Sequence, residues 1–265
     1  MDVAEGGSRS STGEGWTGYL QRFHGERSGI TEDVLIHALD TAGRTPYDWL
    51  ADAVPRDAQV LDLACGNGAM RSRLPGNPWV GLDLSAGELR LAHGRGLPVA
   101  QADAGRLPLP DASVDVVVVS MALMLLPLLP TLREVARVLR PAGLLVATVP
   151  VSAPLPLRDL VRYTRLCVAL RHRGLAYPSD RELRRAGQPL AEAGLALVDD
   201  QRRSFTCQLR DDDVAAQLLA SLYLPDVHPD RLAHGTRVVH RWAGSGITTP
   251  VRRIIATRPG SPPSP

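Results

Sequence analysis

The sequence predicts an α/β fold in which helices cover both faces of a doubly wound, mostly parallel sheet of seven strands. Short apolar segments alternate with helical segments from about residue 45 to residue 150. One of them, Val114 to Val119, is almost entirely β-branched, which is typical of a central strand buried on both faces. Another ends in an acid followed by Gly66 and Gly68, as in a tight turn between a strand and a helix. Together these features predict a Rossmann-like core.

The N-terminal segments predict helices that cover this core as a lid. Residues 1–15 are rich in Gly and Ser, and we expect them to be disordered. From Trp16 to Phe23, large apolar residues recur at the spacing of one helix face. A further helix is expected from Thr31, with this residue as its N-cap, and another near residues 47–50.

The core pattern is strand, turn and helix, repeated. Strands are predicted at 58–63, 79–82, 98–101, 114–119 and 143–149. Helices are predicted at 68–73, 85–94, 121–127 and 130–140. Repeated units of this length imply right-handed crossovers between parallel strands.

The pattern changes after Pro150. A helix is predicted at 157–170, and a second at 180–193 that Pro189 kinks or divides. The remaining elements are a strand at 195–209, helices at 211–222 and 229–241, and a last strand at 251–257. The last two helices form an insertion before the final strand.

These elements predict one domain. We expect it to span residues 16–258 and to be followed by a disordered tail at 259–265. Its core would be residues 45–150. Residues 16–44 and 151–245 would cap the core and form the site for an acceptor molecule.

The composition is that of a soluble globular protein, since 44% of the residues are hydrophobic and 22% are charged. The net charge of +2 gives no reason to expect nucleic acid as a partner. All 30 basic residues are arginine, which codon bias explains better than phosphate binding. Three widely spaced cysteines form no disulfide framework and no metal-binding pattern, so no metal is expected. Without a leader-like or membrane-spanning segment, a cytoplasmic protein that does not bind the membrane is expected.

Three acids lie at the ends of successive apolar strands: Asp62, Asp83 and Asp103. Because the carboxyl ends of parallel strands meet at one edge of a sheet, we expect the three carboxylates to face one crevice. Asp83 stands where nucleotide-binding folds place an acid that accepts both hydrogen bonds of a ribose diol. Any one of these acids could simply cap a helix, but three beside a glycine turn predict a ligand site.

The glycine turn does not fit a dinucleotide cofactor. The dinucleotide fingerprint needs a third glycine three positions after Gly68, where this chain has Arg71. Asp62 would repel a pyrophosphate, whereas it would hold an ammonium group. These features argue against NAD and predict a cofactor that carries a cation.

At this point the sequence resembles class I S-adenosylmethionine-dependent methyltransferases of the small-molecule, UbiE-like (type 11) group. The matching segments are Val60–Gly68, Gly81–Ser85, Gln101–Ala104, Leu107–Asp115 and Arg133–Leu145. They occur in the order and spacing of that group over about residues 58–149, and beyond them the resemblance fades.

The resemblance implies S-adenosylmethionine as the cofactor and assigns residues to its parts. The turn from Gly66 to Gly68 would lie against the methionine moiety, and Asp62 would hold its ammonium group through water. Asp83 would bind the ribose hydroxyls. The other implied contacts are Leu84 against the adenine, Asp103 and Ala104 at the adenine edge, and Ser120 and Met121 beside the sulfonium. Members of the group often have glycine in place of Ala64.

No catalytic base stands out in the sequence. Methyltransferases of exocyclic amines often carry Asn/Asp-Pro-Pro-Tyr after the fourth strand, whereas residues 120–123 are Ser-Met-Ala-Leu, so transfer to oxygen or carbon is favoured over nitrogen. A base is needed only if the acceptor loses a proton. His24 is the candidate because its segment is expected to close over the cofactor. His37 and His93 are expected to be structural, and four others lie in the region expected to cover the acceptor: His172, His228, His234 and His240.

We therefore expect methyl transfer from S-adenosylmethionine to a small, apolar acceptor. The apolar stretch from Met121 to Leu129 either lines the acceptor pocket or forms a buried helix on the sheet. Two alternatives stay open: an RNA methyltransferase, although no basic face or RNA-binding module is evident, and a non-catalytic accessory protein that binds the cofactor. The sequence does not decide the oligomeric state, so a homodimer also stays open.

Overall fold

The computed structural model describes residues 15–172, 174 and 177–260. Disorder was predicted for residues 1–15 and 259–265, and all of these except residues 15, 259 and 260 lie outside the described residues. The strands are β1 Ala38–Leu39, β2 Val60–Leu63, β3 Trp79–Asp83, β4 Val99–Gln101, β5 Val114–Ser120, β6 Leu139–Pro150, β7 Ala196–Leu209 and β8 Ser245–Thr257. The helices are α1 Trp16–Glu26, α2 Ile30–Leu35, α3 Pro46–Ala51, α4 Ala86–Gly94, α5 Leu128–Val138, α6 Leu157–Leu170, α7 Asp180–Leu183, α8 Gly187–Glu192, α9 Asp212–Ala220 and α10 Pro229–His240. A 3₁₀ turn spans Ala69–Arg73, where the sequence predicted a helix.

The strands form one mixed sheet in the order β1-β7-β8-β6-β5-β2-β3-β4. β2 to β6 pair in parallel with one another, whereas β8 pairs antiparallel with both β6 and β7. The chain runs outward from β2 in both directions, and ligands of such sheets bind at the carboxyl ends of the strands beside this reversal. The predicted α/β fold is confirmed.

The sheet has one strand more than the seven predicted. The additional strand is β1, two residues long, in which Ala38 and Leu39 pair antiparallel with Cys207 and Thr206 of β7. The helix expected from Thr31 therefore ends at Leu35, before the strand begins. Thr31 is also not its N-cap, because α2 starts at Ile30 behind Gly29, whose φ of 86° sets the turn.

Helices cover both faces of the sheet, as the near-continuous apolar pattern of β5 predicted. Val117 and Val119 pack in the core beneath α5, whereas Val116 and Val118 pack in the core beneath α3 and α4. A third apolar cluster joins β7 and β8 to α6, α9 and α10. Because α9 and α10 lie between β7 and β8 in the chain, the predicted helical insertion before the last strand is confirmed.

The predicted helix at residues 121–127 is wrong. Met121 has a φ of 55°, in the left-handed region, so the chain leaves β5 in a sharp turn and continues through irregular turns to α5. Leu123 and Met124 are nevertheless buried in the core. The apolar run reflects this burial and not helical periodicity.

The segment predicted as a single helix at 180–193 is divided in two. α7 ends at Leu183, and α8 begins at Gly187. Pro189 lies in the first turn of α8, where its missing N–H removes no helical hydrogen bond.

Within the described part of the chain, no helix has both the length and the apolar character needed to cross a membrane.

Candidate functional site

A cleft opens at the carboxyl ends of β2, β3 and β5 and is covered by α1 and α2. The structure brings together here His24 and eight of the nine predicted cofactor-binding residues, which are Asp62, Ala64, Gly66, Asp83, Leu84, Asp103, Ala104 and Ser120. The ninth, Gly68, does not line the cleft. Its φ is 84°, in the left-handed region, so the conformation of the turn favours glycine at this position.

Asp62 is the most unusual group in the cleft. It is 1% exposed at the end of β2, and neither oxygen of its carboxyl group has a hydrogen-bond partner among the described residues. Burial, together with the nearby charge of Asp83, raises the pKa of Asp62 well above its usual range. The indole N–H of Trp79, which also has no hydrogen-bond partner among the described residues, lowers this pKa by a smaller amount. Because a buried carboxylate without a partner is costly, the site favours a cationic or hydrogen-bond-donating ligand.

Asp83 ties the glycine turn of β2 to the end of β3. Its Oδ2 accepts the N–H of Gly66 at 2.8 Å, and its Oδ1 accepts the N–H of Ser85 at 2.7 Å. Burial raises the pKa of this carboxyl group, although the two backbone hydrogen bonds act in the opposite direction. Each oxygen keeps a lone pair that could accept a ligand hydroxyl.

The remaining predicted residues differ in burial along the cleft. Ala64 has a φ of 56°, a conformation that costs a non-glycine residue about 1–2 kcal/mol. Leu84 is half-buried and Ala104 is buried, whereas Asp103 is exposed at the mouth of the cleft and accepts the N–H of Gly105 at 2.8 Å. The cleft is therefore closed at Asp62 and open at Asp103.

A second cavity adjoins the cleft and is much larger, about 920 Å³ compared with about 190 Å³. Three residues line both spaces: Thr31, Met121 and Tyr223. The walls of the larger cavity are mostly apolar and come from α2, the end of β6, α6 and α9 through residues such as Val34, Leu35, Val149, Leu166, Leu218 and Leu219. Of the stretch from Met121 to Leu129, Met121 and Met124 line this cavity.

The structure fixes His24 between two residues that the sequence did not single out. Its Nδ1 lies 2.9 Å from Oε1 of Glu88, and its Nε2 lies 3.1 Å from the hydroxyl oxygen of Tyr223. Ser85 and Glu88 have the spacing of a capping box, which predicts a Glu88 carboxylate turned back to its own helix start. Instead, this carboxylate accepts the N–H of Gly29 at 3.1 Å with both oxygens. No local sequence signal points to Tyr223.

The other histidines have different positions. Among the described histidines, only His24 lines either cavity. His93 bonds to the carbonyl of Leu89 in its own helix at 2.8 Å, and His228 caps α10. The part of the chain that the structure describes contains no cluster of three potential metal ligands.

Part of the chain is similar in sequence to known methyltransferases. Residues 61–147 match the family model described as a methyltransferase domain, type 11. A malonyl-[acyl-carrier protein] O-methyltransferase of Xylella fastidiosa (strain M23) is 34% identical over 128 residues, which are 44% of this chain and 43% of that protein. A demethylmenaquinone methyltransferase of Mycolicibacterium vanbaalenii is 37% identical over 123 residues, which are 45% of this chain and 54% of that protein. The chain thus spans about half the length of the curated relatives it matches.

Solved structures show the same fold at low identity. The YcgJ protein of Bacillus subtilis superposes with a TM-score of 0.54 at 19% identity, covering 81% of this chain and 97% of that one. This similarity extends the shared architecture well beyond residues 61–147.

Proposed function

We propose that this chain, whose residues 61–147 form an S-adenosylmethionine-dependent methyltransferase domain, transfers a methyl group to a small apolar acceptor, at oxygen or carbon. The acceptor would occupy the large cavity and reach the cofactor cleft past Met121 and Tyr223, which line both spaces. Each activity named for a relative belongs to that relative, and neither acceptor is assigned to this chain.

The observation that carries the proposal is the unpartnered carboxyl group of Asp62 at the closed end of the cleft. The methionine moiety of S-adenosylmethionine has an ammonium group that would satisfy it, directly or through water. Asp83 is tied to the turn and keeps lone pairs for the ribose hydroxyls. Asp103 and Ala104, in turn, border the open end, where the adenine would lie. When bound, S-adenosylmethionine supplies an electrophilic methyl group on a sulfonium centre.

The apolar walls of the large cavity favour an apolar acceptor. Helix α6, which contributes to these walls, also has exposed apolar side chains, among them Leu157 at 76% and Leu160 at 50% exposure, and Leu160 lines the cavity. Arg184, Arg202 and Arg252 also line the cavity, but most of its walls are apolar, which favours an apolar acceptor over RNA. We also propose a cytoplasmic location for this methyltransferase of small molecules.

Cofactor binding is tested by isothermal titration calorimetry with S-adenosylmethionine. We expect Asp83→Ala to weaken binding by about 100-fold or more, because each hydrogen bond to a charged group is worth about 1.5–3 kcal/mol. The matched control is Asp111→Ala, which removes a carboxylate that is 78% exposed and pairs with Arg137 on the surface. Equal affinities in the wild type and in Asp83→Ala would overturn the cofactor assignment.

Transfer is tested separately from binding. The protein is incubated with S-adenosylmethionine labelled in its methyl group and with 2-naphthalenethiol, an apolar aryl thiol that is largely ionised in neutral water and needs no base. Labelled thioether supports a methyltransferase. Tight cofactor binding without any transfer would instead support the non-catalytic accessory role.

A further inference from the structure

Three side chains from distant parts of the chain meet where the cleft joins the large cavity. His24 comes from α1, Glu88 from α4, and Tyr223 from the segment after α9. All three line the cleft, and Tyr223 also lines the large cavity. Tyr223 is thus the residue nearest the large cavity in a hydrogen-bonded series that begins at the carboxylate of Glu88 and continues through His24.

The hydrogen bonds fix the direction in which a proton can move along this series. Both oxygens of Glu88 accept the N–H of Gly29, so this carboxylate acts as an acceptor toward His24 as well. Nδ1 of His24 must then carry the hydrogen that it donates to Glu88. In the neutral ring this leaves Nε2 with a lone pair that can accept the O–H of Tyr223, whose oxygen lies 3.1 Å away. Nε2 can therefore take a proton from the side of the acceptor.

We propose that Tyr223 and His24 remove the proton from a hydroxyl group of the acceptor, so that the substrate class is an apolar phenol or enol. The proposal rests on the proposed function and specifies its chemistry. Tyr223 is the catalytic residue, because it alone of the three borders the acceptor cavity. His24 receives the proton, and Glu88 is a positioning residue that holds His24 in the required tautomer.

The bonds and protons balance in this step. The acceptor oxygen uses the electron pair of its O–H bond to form the new O–CH₃ bond, and the methyl group leaves its sulfur, which keeps the electron pair of the broken bond. The hydroxyl proton passes to the oxygen of Tyr223, while the phenolic proton of Tyr223 passes to Nε2 of His24. The resulting imidazolium is paired with the carboxylate of Glu88. No other co-reactant is needed.

Tyr223 acts as a relay and not as a standing base. It is 8% exposed and is packed against Phe23, with 4.8 Å between the ring centroids. Burial raises the pKa of Tyr223, so its phenol stays neutral until it exchanges protons. The titratable groups that interact with His24 are Glu88 and Tyr223, through hydrogen bonds, and Asp83, through its charge.

The three residues also anchor the lid, so the test must separate this structural role from catalysis. Two matched probes do so: 2-naphthol, whose hydroxyl is un-ionised at neutral pH, and 2-naphthalenethiol, which is largely ionised there. Both are offered with methyl-labelled S-adenosylmethionine to the wild type, Tyr223→Phe, His24→Gln and Glu88→Gln. The control is Tyr19→Phe, which removes from the same lid helix a hydroxyl that accepts the N–H of Leu224 at 2.9 Å.

We expect Tyr223→Phe and His24→Gln to methylate 2-naphthol about 100-fold more slowly, the usual contribution of a positioned base, and to retain methylation of the thiol. Glu88→Gln should be affected less, because the amide oxygen can still accept from Nδ1.

A readout without turnover is nitrogen-15 NMR of histidine-labelled protein, in which His24 is assigned by comparison with His24→Gln. We expect the Nδ1–H tautomer and a shift of the Nε2 resonance in Tyr223→Phe. An Nε2–H tautomer overturns the relay, as does an equal loss of activity with both probes. Methylation of the thiol but not of 2-naphthol by the wild type also overturns it and leaves the proposed function standing. Absence of cofactor binding is the failure of the proposed function itself.

Discussion

The cofactor cleft and the large cavity meet at Met121 and Tyr223 but are built in different ways. The cleft is formed mainly by strand ends and tight turns between residues 62 and 127, and hydrogen bonds such as that from Gly66 to Asp83 hold its shape. The cavity is formed mostly by apolar side chains that come from separate segments between residues 31 and 252. One region is thus defined by backbone and charge, and the other by packing. Their ligands should respond to different substitutions.

The largest expected contrast concerns Asp62. Asp62→Asn removes the buried carboxyl group, and we expect the affinity for S-adenosylmethionine to fall by about 10- to 100-fold, the usual value of one hydrogen bond between charged groups. The same change should stabilise the ligand-free protein at neutral pH, because a neutral amide costs less to bury at this position than an ionised carboxylate. Calorimetric titration and urea unfolding measure the two effects.

The pH dependence gives the sign of the stability effect. The pKa of Asp62 is raised in the folded protein, so the stability associated with its protonated form is complete in acid and is lost as the pH rises through the raised pKa. The advantage of Asp62→Asn should therefore be greatest at neutral pH and shrink in acid. A variant that is less stable than the wild type at every pH would contradict the view that Asp62 is retained for its ligand.

The two regions also differ in how far the sequence predicts them. The acids at 62, 83 and 103 follow from local strand and turn patterns, because parallel strands end at one edge whatever packs around them. Glu88 has the spacing of a helix cap, and only the folded chain shows that it contacts Gly29 and His24. Likewise, the apolar run after β5 has the composition of a buried helix, but the left-handed conformation of Met121 directs it into turns. Contacts between distant segments have no local signal, and the large cavity consists almost entirely of such contacts.

The next prediction is a substitution that should weaken ligand binding in the large cavity and leave cofactor binding unchanged. Cys167 lines the cavity from α6, whereas its neighbour Val168 is 71% exposed. We expect Cys167→Trp to weaken the binding of 2-naphthol by about 10-fold, or about 1.4 kcal/mol, because the indole occupies ligand space. The affinity for S-adenosylmethionine should stay unchanged. Fluorescence titration with 2-naphthol and calorimetry with the cofactor measure both quantities.

Val168→Trp is the matched control for this substitution. It adds the same side chain one position further along the same helix, where it points to solvent, and both affinities should remain those of the wild type. Equal 2-naphthol affinities in Cys167→Trp and Val168→Trp would show that the probe does not bind in the cavity. A loss of cofactor affinity in Cys167→Trp would show that the two regions are not separable.

The smallest expected effect is the release of protons when a ligand binds, which should occur in the cleft and not in the large cavity. Because the pKa of Asp62 is raised in the ligand-free protein, a cationic ligand beside this carboxyl group should lower that pKa and so favour release of its proton. Titration with S-adenosylmethionine in phosphate and in Tris, whose ionisation enthalpies differ, should show the release of a fraction of a proton. Asp62→Asn should release less, and what remains would come from Asp83, whose pKa is also raised.

Binding of 2-naphthol in the absence of cofactor should release no protons, since no carboxyl group of the cleft changes its charge. Proton uptake with S-adenosylmethionine, or equal release by wild type and variant, would mean that the ammonium group does not lie near Asp62.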